Sequence, residues 1–130
     1  MSETKMKKII LDTNMLLVPG QFKVDIFDEI REIIEGEITF VITNSIKREL
    51  EKITKGDSKD SSAAKVALDM IEKNDVEIAD VKGKNTDEEI VDLADKNIIV
   101  ATNDKALQKK LKDKGTKIIY LRSKKKLEIF

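Results

Sequence analysis

Apolar residues recur along the chain with two spacings, and these predict strands that alternate with helices. Short apolar or alternating runs predict strands at 7–12, 38–42, 76–79, 98–101 and 117–121. Helical spacing and cap residues predict helices at 24–35, from 43–45 to about 54, and at 63–73, 86–96 and 105–114. This order is typical of a three-layer α/β/α domain with a central, mainly parallel, twisted sheet of about five strands. Residues 127–130 add a short edge strand or dock on the core.

Polar and small residues mark the predicted boundaries between these elements. Pro19-Gly20 is expected to break the segment 13–23, and Gly36 is expected to end the helix 24–35. The run 56–62 is the most loop-like part of the chain, and 83–85 is a turn. Thr86-x-x-Glu89 predicts a capping box. The helix 63–73 is expected to turn four apolar side chains inward or nearly so: Val66, Leu68, Met70 and Ile71.

Composition narrows the possible chemistry. The 130 residues suit a single domain, 1–130, and contain neither Cys nor His. Disulfides, zinc–thiolate sites and a Ser-His-Asp triad are therefore excluded. Abundant Lys and Glu resemble thermophile composition. No apolar run has membrane-spanning length and the N-terminus resembles no signal peptide, so we expect a cytoplasmic protein without membrane contact.

Charge is balanced over the chain but uneven along it. Lys and Arg number 25, as do Asp and Glu, so there is no global basic field. Residues 105–126 nevertheless contain ten cations and one acid, Asp113. Such a stretch could bind a phosphate backbone or form a solvated helix face, and the sequence leaves both interpretations open.

Two aspartates directly follow buried strands. Asp12 ends the run Ile9-Ile10-Leu11, and Asp104 follows the strand 98–101 through Thr102-Asn103. In a doubly wound sheet strands one and four are neighbours, so the two carboxylates should meet at the carboxyl edge. Carboxylates gathered there repel one another unless a hard cation joins them. A divalent-metal site is therefore predicted, although each aspartate could also be a turn or helix cap.

Two further acids have ordinary explanations when taken alone. Asp87 opens a predicted helix, where it would complement the helix dipole. Glu49 lies three residues before Lys52 and could form a solvated ion pair with it.

Taken in order, these segments resemble a PIN domain over essentially the whole chain. The matching segments are Asp12-Thr13-Asn14, Lys47-Arg48-Glu49, Asp87-x-x-Ile90-x-x-Leu93-Ala94 and Thr102-Asn103-Asp104. The C-terminal half resembles archaeal stand-alone PIN proteins, which are similar to VapC-type toxins and to PIN nucleases of small-subunit ribosomal RNA processing.

The resemblance implies an endoribonuclease that depends on Mg²⁺ or Mn²⁺. Its catalytic and metal-binding acids would be Asp12, Glu49, Asp87 and Asp104, supported by Asn14 and Thr102. RNA, single-stranded or structured ribosomal or transfer RNA, would be the substrate. Six cations are predicted to track its backbone: Lys109, Lys110, Arg122, Lys124, Lys125 and Lys126. The resemblance also implies a homodimer and an antitoxin or ribosome-assembly partner, and apolar surface for a dimer is predicted at Phe22, Ile26, Phe27 and Ile30.

Three other interpretations compete with this one. A receiver-like phosphoacceptor would need an acid pair after strand one, where only Asp12 stands. A haloacid-dehalogenase-type phosphatase would need Asp-x-Asp, and Asn14 replaces the second acid. A catalytically inert RNA-binding or ribosome-assembly protein with the same fold stays open, because sequence cannot prove turnover.

Overall fold

Six strands form one mixed sheet in the computed structural model, which describes residues 6–83 and 85–130. The strand order is β3-β2-β1-β4-β5-β6, with β1 to β5 parallel and β6 antiparallel to β5. The strands are β1 (Lys7–Leu11), β2 (Ile38–Thr43), β3 (Glu77–Ala79), β4 (Ile98–Ala101), β5 (Lys117–Arg122) and β6 (Lys126–Ile129). The order confirms the predicted neighbourhood of strands one and four.

Helices flank the sheet and complete the three layers. They are α1 (Thr13–Leu16), α2 (Val18–Phe22), α3 (Ile26–Ile33), α4 (Asn44–Thr54), α5 (Lys59–Lys73), α6 (Thr86–Leu93) and α7 (Lys105–Asp113). Among the described residues, none of these helices has the length and apolar character that crossing a membrane requires.

The central strands explain why the carboxyl edge is fixed so firmly. Ile9 and Leu11 of β1, and Val100 and Ala101 of β4, are fully buried. Strands buried on both faces are typical of parallel sheets covered by helices on each side. The residue that follows each strand is consequently held in place by the core beneath it.

Three boundary predictions were wrong. Pro19 does not break the chain but lies in the first turn of α2, where its missing N–H is tolerated. Helix α5 begins at Lys59, inside the predicted loop, and the buried hydroxyl of Ser61 donates to the carbonyl of Thr54 at 3.0 Å. The cap of α6 is Asn85, whose side chain accepts from the N–H of Glu88, so Thr86 and Glu89 form no capping box. The predicted turn 83–85 includes residue 84, outside the described residues.

The inward face of α5 also differs from prediction. Ile71 is buried and Leu68 and Met70 are partly buried, as predicted, but Val66 is 40% exposed and the other buried apolar residues are Ala63, Ala64 and Ala67. The reason is a close approach to α2, where a Cβ on Gly20 would lie 2.5 Å from the Cα of Ala63. Only small side chains fit between two helices at that distance.

The proposed apolar surface for a dimer does not exist as predicted. Three of its four residues, Ile26, Phe27 and Ile30, are core residues with at most 1% of their surface exposed. They lie on the buried face of α3, and only Phe22 is partly exposed, at 37%. Dimer formation stays a prediction without support from these side chains.

Candidate active site

The four predicted acids line one cavity at the carboxyl edge of the sheet. Its volume is about 260 Å³, and its walls come from α1, α4, α6 and the loop that follows β4. The lining residues are Asp12, Thr13, Asn14, Leu17, Glu49, Ile53, Thr86, Asp87 and Asp104. Residues from distant parts of the sequence are thus brought together where an open α/β sheet binds ligands.

Asp12 is the buried acid of this cavity. It is 5% exposed and caps α1, with Oδ1 accepting the N–H of Thr13 at 2.8 Å. Its Oδ2 accepts the hydroxyl of Thr102 at 2.7 Å and the amide of Asn14 at 3.1 Å. Burial is the main cause that raises the pKa of Asp12, and nearby Asp87 and Asp104 raise it further, against the lowering effect of Thr102 and Thr13. The site therefore holds this carboxylate in place at an electrostatic cost.

Thr102 and Asn14, the two predicted supporting residues, join the two halves of the site through hydrogen bonds. The hydroxyl of Thr102, fully buried, donates to Asp12 and accepts the N–H of Asp104 at 3.1 Å. Asn14 contacts Asp12 through its amide nitrogen, while its Oδ1 accepts the N–H of Asn103 at 3.0 Å. The end of β1 and the loop after β4 are fixed to each other by these bonds.

Asp104 is both a helix cap and a wall of the cavity. Its Oδ1 accepts the N–H groups of Ala106 at 2.9 Å and Leu107 at 3.2 Å, at the start of α7. Within the described residues its Oδ2 has no hydrogen-bond partner, so one oxygen is fixed by the helix and the other is available to a ligand. Asp104 therefore caps α7 and lines the cavity at the same time, so the two explanations considered for it do not exclude each other.

Glu49 and Asp87 are held less tightly. Glu49 is exposed on α4, and the ion pair with Lys52 considered for it does not form. Asp87 is partly exposed in the first turn of α6. Over residues 6–83 and 85–130, neither carboxylate forms a hydrogen bond or an ion pair. Both carboxylates line the cavity without an ion-pair partner among the described residues, so their oxygens can act as metal ligands.

The donor set fits a hydrated divalent cation. Carboxylate oxygens are the ligands that Mg²⁺ and Mn²⁺ prefer, and Mg²⁺ typically keeps several waters and takes one or two carboxylates directly. In the described part of the chain, no three acids are already grouped closely enough to enclose an ion. Thr13 also lines the cavity, and its hydroxyl oxygen is buried without a hydrogen-bond partner among the described residues.

The predicted basic residues divide into different environments. Lys110 borders a cavity of about 360 Å³ that also includes Glu49 and Asp87. Arg122 and Lys126 both lie near Glu128, with N–O distances of 3.0 and 3.8 Å. Lys109, Lys124 and Lys125 are exposed. Arg122 and Lys126 are thus partly neutralised, whereas the exposed lysines keep their charge facing solvent.

Some residues of the site were not predicted. Thr13 and Asn103 lie inside the two motifs, so their positions beside Asp12 and Asp104 were a signal that could have been used. Glu89 gave no such signal. It is 2% exposed, and its Oε2 accepts the hydroxyl of Ser45 at 2.8 Å, which joins α6 to the helix that holds Glu49.

Comparisons with known proteins identify the family of the chain. The family model described as a PIN like domain matches residues 9–124. Ribonuclease VapC4 of Methanocaldococcus jannaschii is 34% identical over 128 residues, covering 96% of this chain and 98% of that protein. Ribonuclease VapC9 of Archaeoglobus fulgidus is 34% identical over 125 residues, covering 95% and 89%.

A solved structure extends the match to three dimensions. The PIN domain endonuclease Utp24 superposes with a TM-score of 0.76 at 26% identity, covering 94% of this chain and 90% of that one. Sequence and fold thus agree on the family. The chain belongs to the PIN-like domain family, together with these archaeal ribonucleases.

Proposed function

We propose that this protein is an endoribonuclease that hydrolyses RNA phosphodiester bonds with the help of Mg²⁺ or Mn²⁺. The observation that supports this most directly is the single cavity lined by Asp12, Glu49, Asp87 and Asp104. None of the four forms an ion pair with a described Lys or Arg. Similarity to proteins that are named ribonucleases supports RNA hydrolysis as the class of reaction.

The chain's own residues would supply positioning and binding. Asp12 and Asp104 would hold the cation, since each is fixed by hydrogen bonds at one oxygen or both. Glu49 and Asp87 would contribute directly or through water. A bound cation would lower the pKa of a coordinated water and stabilise negative charge on phosphate oxygens. The chain contains no His, the only side chain whose unperturbed pKa lies near neutral pH.

RNA would approach along the basic C-terminal part of the chain. Helix α7 begins directly after Asp104 and carries exposed lysines, of which Lys110 lies beside Glu49 and Asp87. We propose single-stranded stretches, as found in ribosomal or transfer RNA, because flexible strands can bend a phosphate into a cavity of this size. A protein partner, either an antitoxin or a ribosome-assembly factor, belongs to the same proposal.

The test is cleavage of single-stranded RNA in Mn²⁺ or Mg²⁺ and in EDTA. Asp12→Asn and Asp104→Asn should abolish metal-dependent cleavage with the fold intact. Glu49→Gln should reduce it strongly, whereas Glu51→Gln, on the same helix but outside the cavity, should have no effect. Undiminished cleavage by both aspartate variants would refute the proposed site.

The inert RNA-binding alternative is separated by titrating the metal with and without RNA. A functional site should give a rise in melting temperature in millimolar Mn²⁺, because a ligand that binds only the folded state stabilises it by about 2.7 kcal/mol at a concentration one hundred times its Kd. A shift that disappears in Asp104→Asn, but without RNA cleavage by the wild type, would favour the inert protein. No shift at all would contradict a metal site.

A further inference from the structure

A second cavity lies on the other side of Asn103 from the acidic one. It has a volume of about 220 Å³ and lies where the start of α7 meets the sheet edge formed by β5 and β6. It is lined by Asn103, Lys105, Gln108, Tyr120, Leu121 and Phe130. Two of these residues are aromatic, and we call this cavity the aromatic pocket. Pockets for drug-sized ligands begin at about 300 Å³, so this smaller one suits a single flat ring system.

Two aromatic rings form one wall of the aromatic pocket. Tyr120 and Phe130 pack edge to face, with centroids 4.8 Å apart and planes at 88°. Phe130 is 45% exposed, yet its backbone is fixed by two hydrogen bonds with Ile118, at 2.9 and 2.8 Å. The backbone bonds fix where the side chain starts, and the exposed part of the ring offers apolar area to a ligand.

Two amide side chains at the rim of the pocket are held by hydrogen bonds, and each has one polar atom without a partner among the described residues. Asn103 accepts the N–H of Leu121 at 2.7 Å through Oδ1, and Gln108 donates from Nε2 to the carbonyl of Thr102 at 2.8 Å. Among the described residues, the Nδ2 of Asn103 and the Oε1 of Gln108 have no partner. One donor and one acceptor with fixed positions can pair with the edge of a nucleobase.

Charge and position connect this pocket with RNA rather than with a neutral aromatic ligand. Lys105 lines it, and the ammonium group of Lys112 lies 4.0 Å from the centroid of the Phe130 ring. The N–H of Asn103 binds Asn14, which contacts Asp12. A phosphate at the acidic cavity and a base in the aromatic pocket would therefore belong to nearby nucleotides of one strand.

We propose that the aromatic pocket binds one unpaired base of the RNA strand, close to the nucleotide whose phosphate lies at the acidic cavity. The inference rests on the proposed ribonuclease function and gives it a base-contacting subsite. Aromatic rings bind successive bases in single strands with little dependence on sequence. The amides of Asn103 and Gln108 would add the hydrogen bonds that distinguish one base from another.

The test compares binding of a short single-stranded RNA with binding of an abasic ribose-phosphate strand of the same length and charge. Affinities are measured in EDTA for the full chain and for Phe130→Leu and Phe130→Tyr. We expect Phe130→Leu to weaken RNA binding by about 5- to 150-fold, the range for one stacked base, and to leave the abasic strand unaffected. Phe130→Tyr should restore RNA binding. Phe22→Leu is the matched control, because Phe22 is an exposed phenylalanine outside the pocket.

Three results would overturn the inference. They are equal affinity of the wild type for both strands, equal weakening of both by Phe130→Leu, and unchanged RNA affinity in that variant. Cleavage with Mn²⁺ is measured in parallel. A wild type that discriminates between the strands but does not cleave RNA would support the pocket and refute the nuclease, so the two failures are distinguishable.

Discussion

At the scale of single residues, the buried acid Asp12 sets the electrostatics of the site. Its carboxylate is removed from water by the ends of β1 and β4, and two further acids lie close by. Hydrogen bonds from Thr102 and Thr13 offset part of that cost. Thr102 lies in the loop after β4 and Thr13 at the start of α1, so the hydrogen bonds that favour the charged form of Asp12 come from both halves of the site.

The raised pKa of Asp12 predicts a pH dependence of stability. Because the folded state favours the protonated form, the contribution of Asp12 to the free energy of unfolding is greatest below its ordinary pKa of 3.8. That contribution disappears as the pH rises through the higher pKa of the folded state. Urea unfolding in EDTA across this range should show the stability of the wild type falling relative to Asp12→Asn. Parallel curves for the two proteins would contradict the assignment.

Thr102 gives a second prediction at this scale. Thr102→Val removes the donor to Asp12 and the acceptor for the N–H of Asp104, and leaves buried polar groups unpaired. We expect a decrease of about 1–3 kcal/mol in the free energy of unfolding. Thr102→Ser keeps the hydroxyl and should retain most of the stability and the cleavage. The two variants are compared by urea denaturation, and equal stability would show that the hydroxyl is dispensable.

At the scale of elements, close helix packing fixes the wall of the domain next to the site. Helix α5 approaches α2 at Gly20 and Ala63, and it also packs on α4, which holds Glu49. The buried face of α5 consists mainly of alanines because the helix axes lie too close for larger side chains. The position of Glu49 thus depends on small residues elsewhere in the chain.

Gly20→Ala should therefore destabilise the protein despite the better helix propensity of alanine. The new methyl group would meet the backbone of Ala63 at 2.5 Å, and we expect a cost of about 1–3 kcal/mol. Gly56→Ala is the control, since its Cβ would meet only the carbonyl oxygen of Ile53, at 3.6 Å. Thermal melting of both variants decides the matter, and similar melting temperatures would mean that the helices separate without cost.

At the scale of the whole molecule, balanced charge conceals a local asymmetry. The formal net charge is zero, yet four acids line the cavity while residues 105–126 carry ten cations, of which Lys110 borders Glu49 and Asp87. An RNA strand could be attracted by the cations and still need a divalent ion to enter the acidic cavity. Phosphate contacts of this kind position the strand without reading its sequence.

The salt dependence of RNA binding should report these lysine–phosphate interactions. Replacing Lys109, Lys110, Lys124, Lys125 and Lys126 with Gln should weaken binding across sequences and reduce the log–log salt slope by about 0.7 for each phosphate that the variant no longer neutralises. Lys126 should contribute least, because it lies near Glu128. Lys73→Gln, in a pair with Asp69, is the control. Filter binding over a salt series measures the slope. An unchanged slope would show that these lysines face solvent and do not contact RNA phosphates.

Local pattern was enough to predict the alternation of strands and helices and the two aspartates that follow β1 and β4. Apolar periodicity reflects burial directly, and a residue after a buried strand must emerge at the sheet edge. For residues 127–130 the pattern left an edge strand and docking on the core as alternatives, and the structure has the strand β6 there. These features depend on neighbours in the sequence.

Other features arise only when distant segments pack together. Glu49 and Asp87 had ordinary local explanations, and the cavity unites them with Asp12 and Asp104 because α4 and α6 meet at one edge of the sheet. The buried face of α5 follows from the distance to α2, which no periodicity records. The aromatic pocket likewise requires β5, β6 and α7 together. Packing distances and the convergence of separate elements are properties of three dimensions, so only the tertiary structure could decide them.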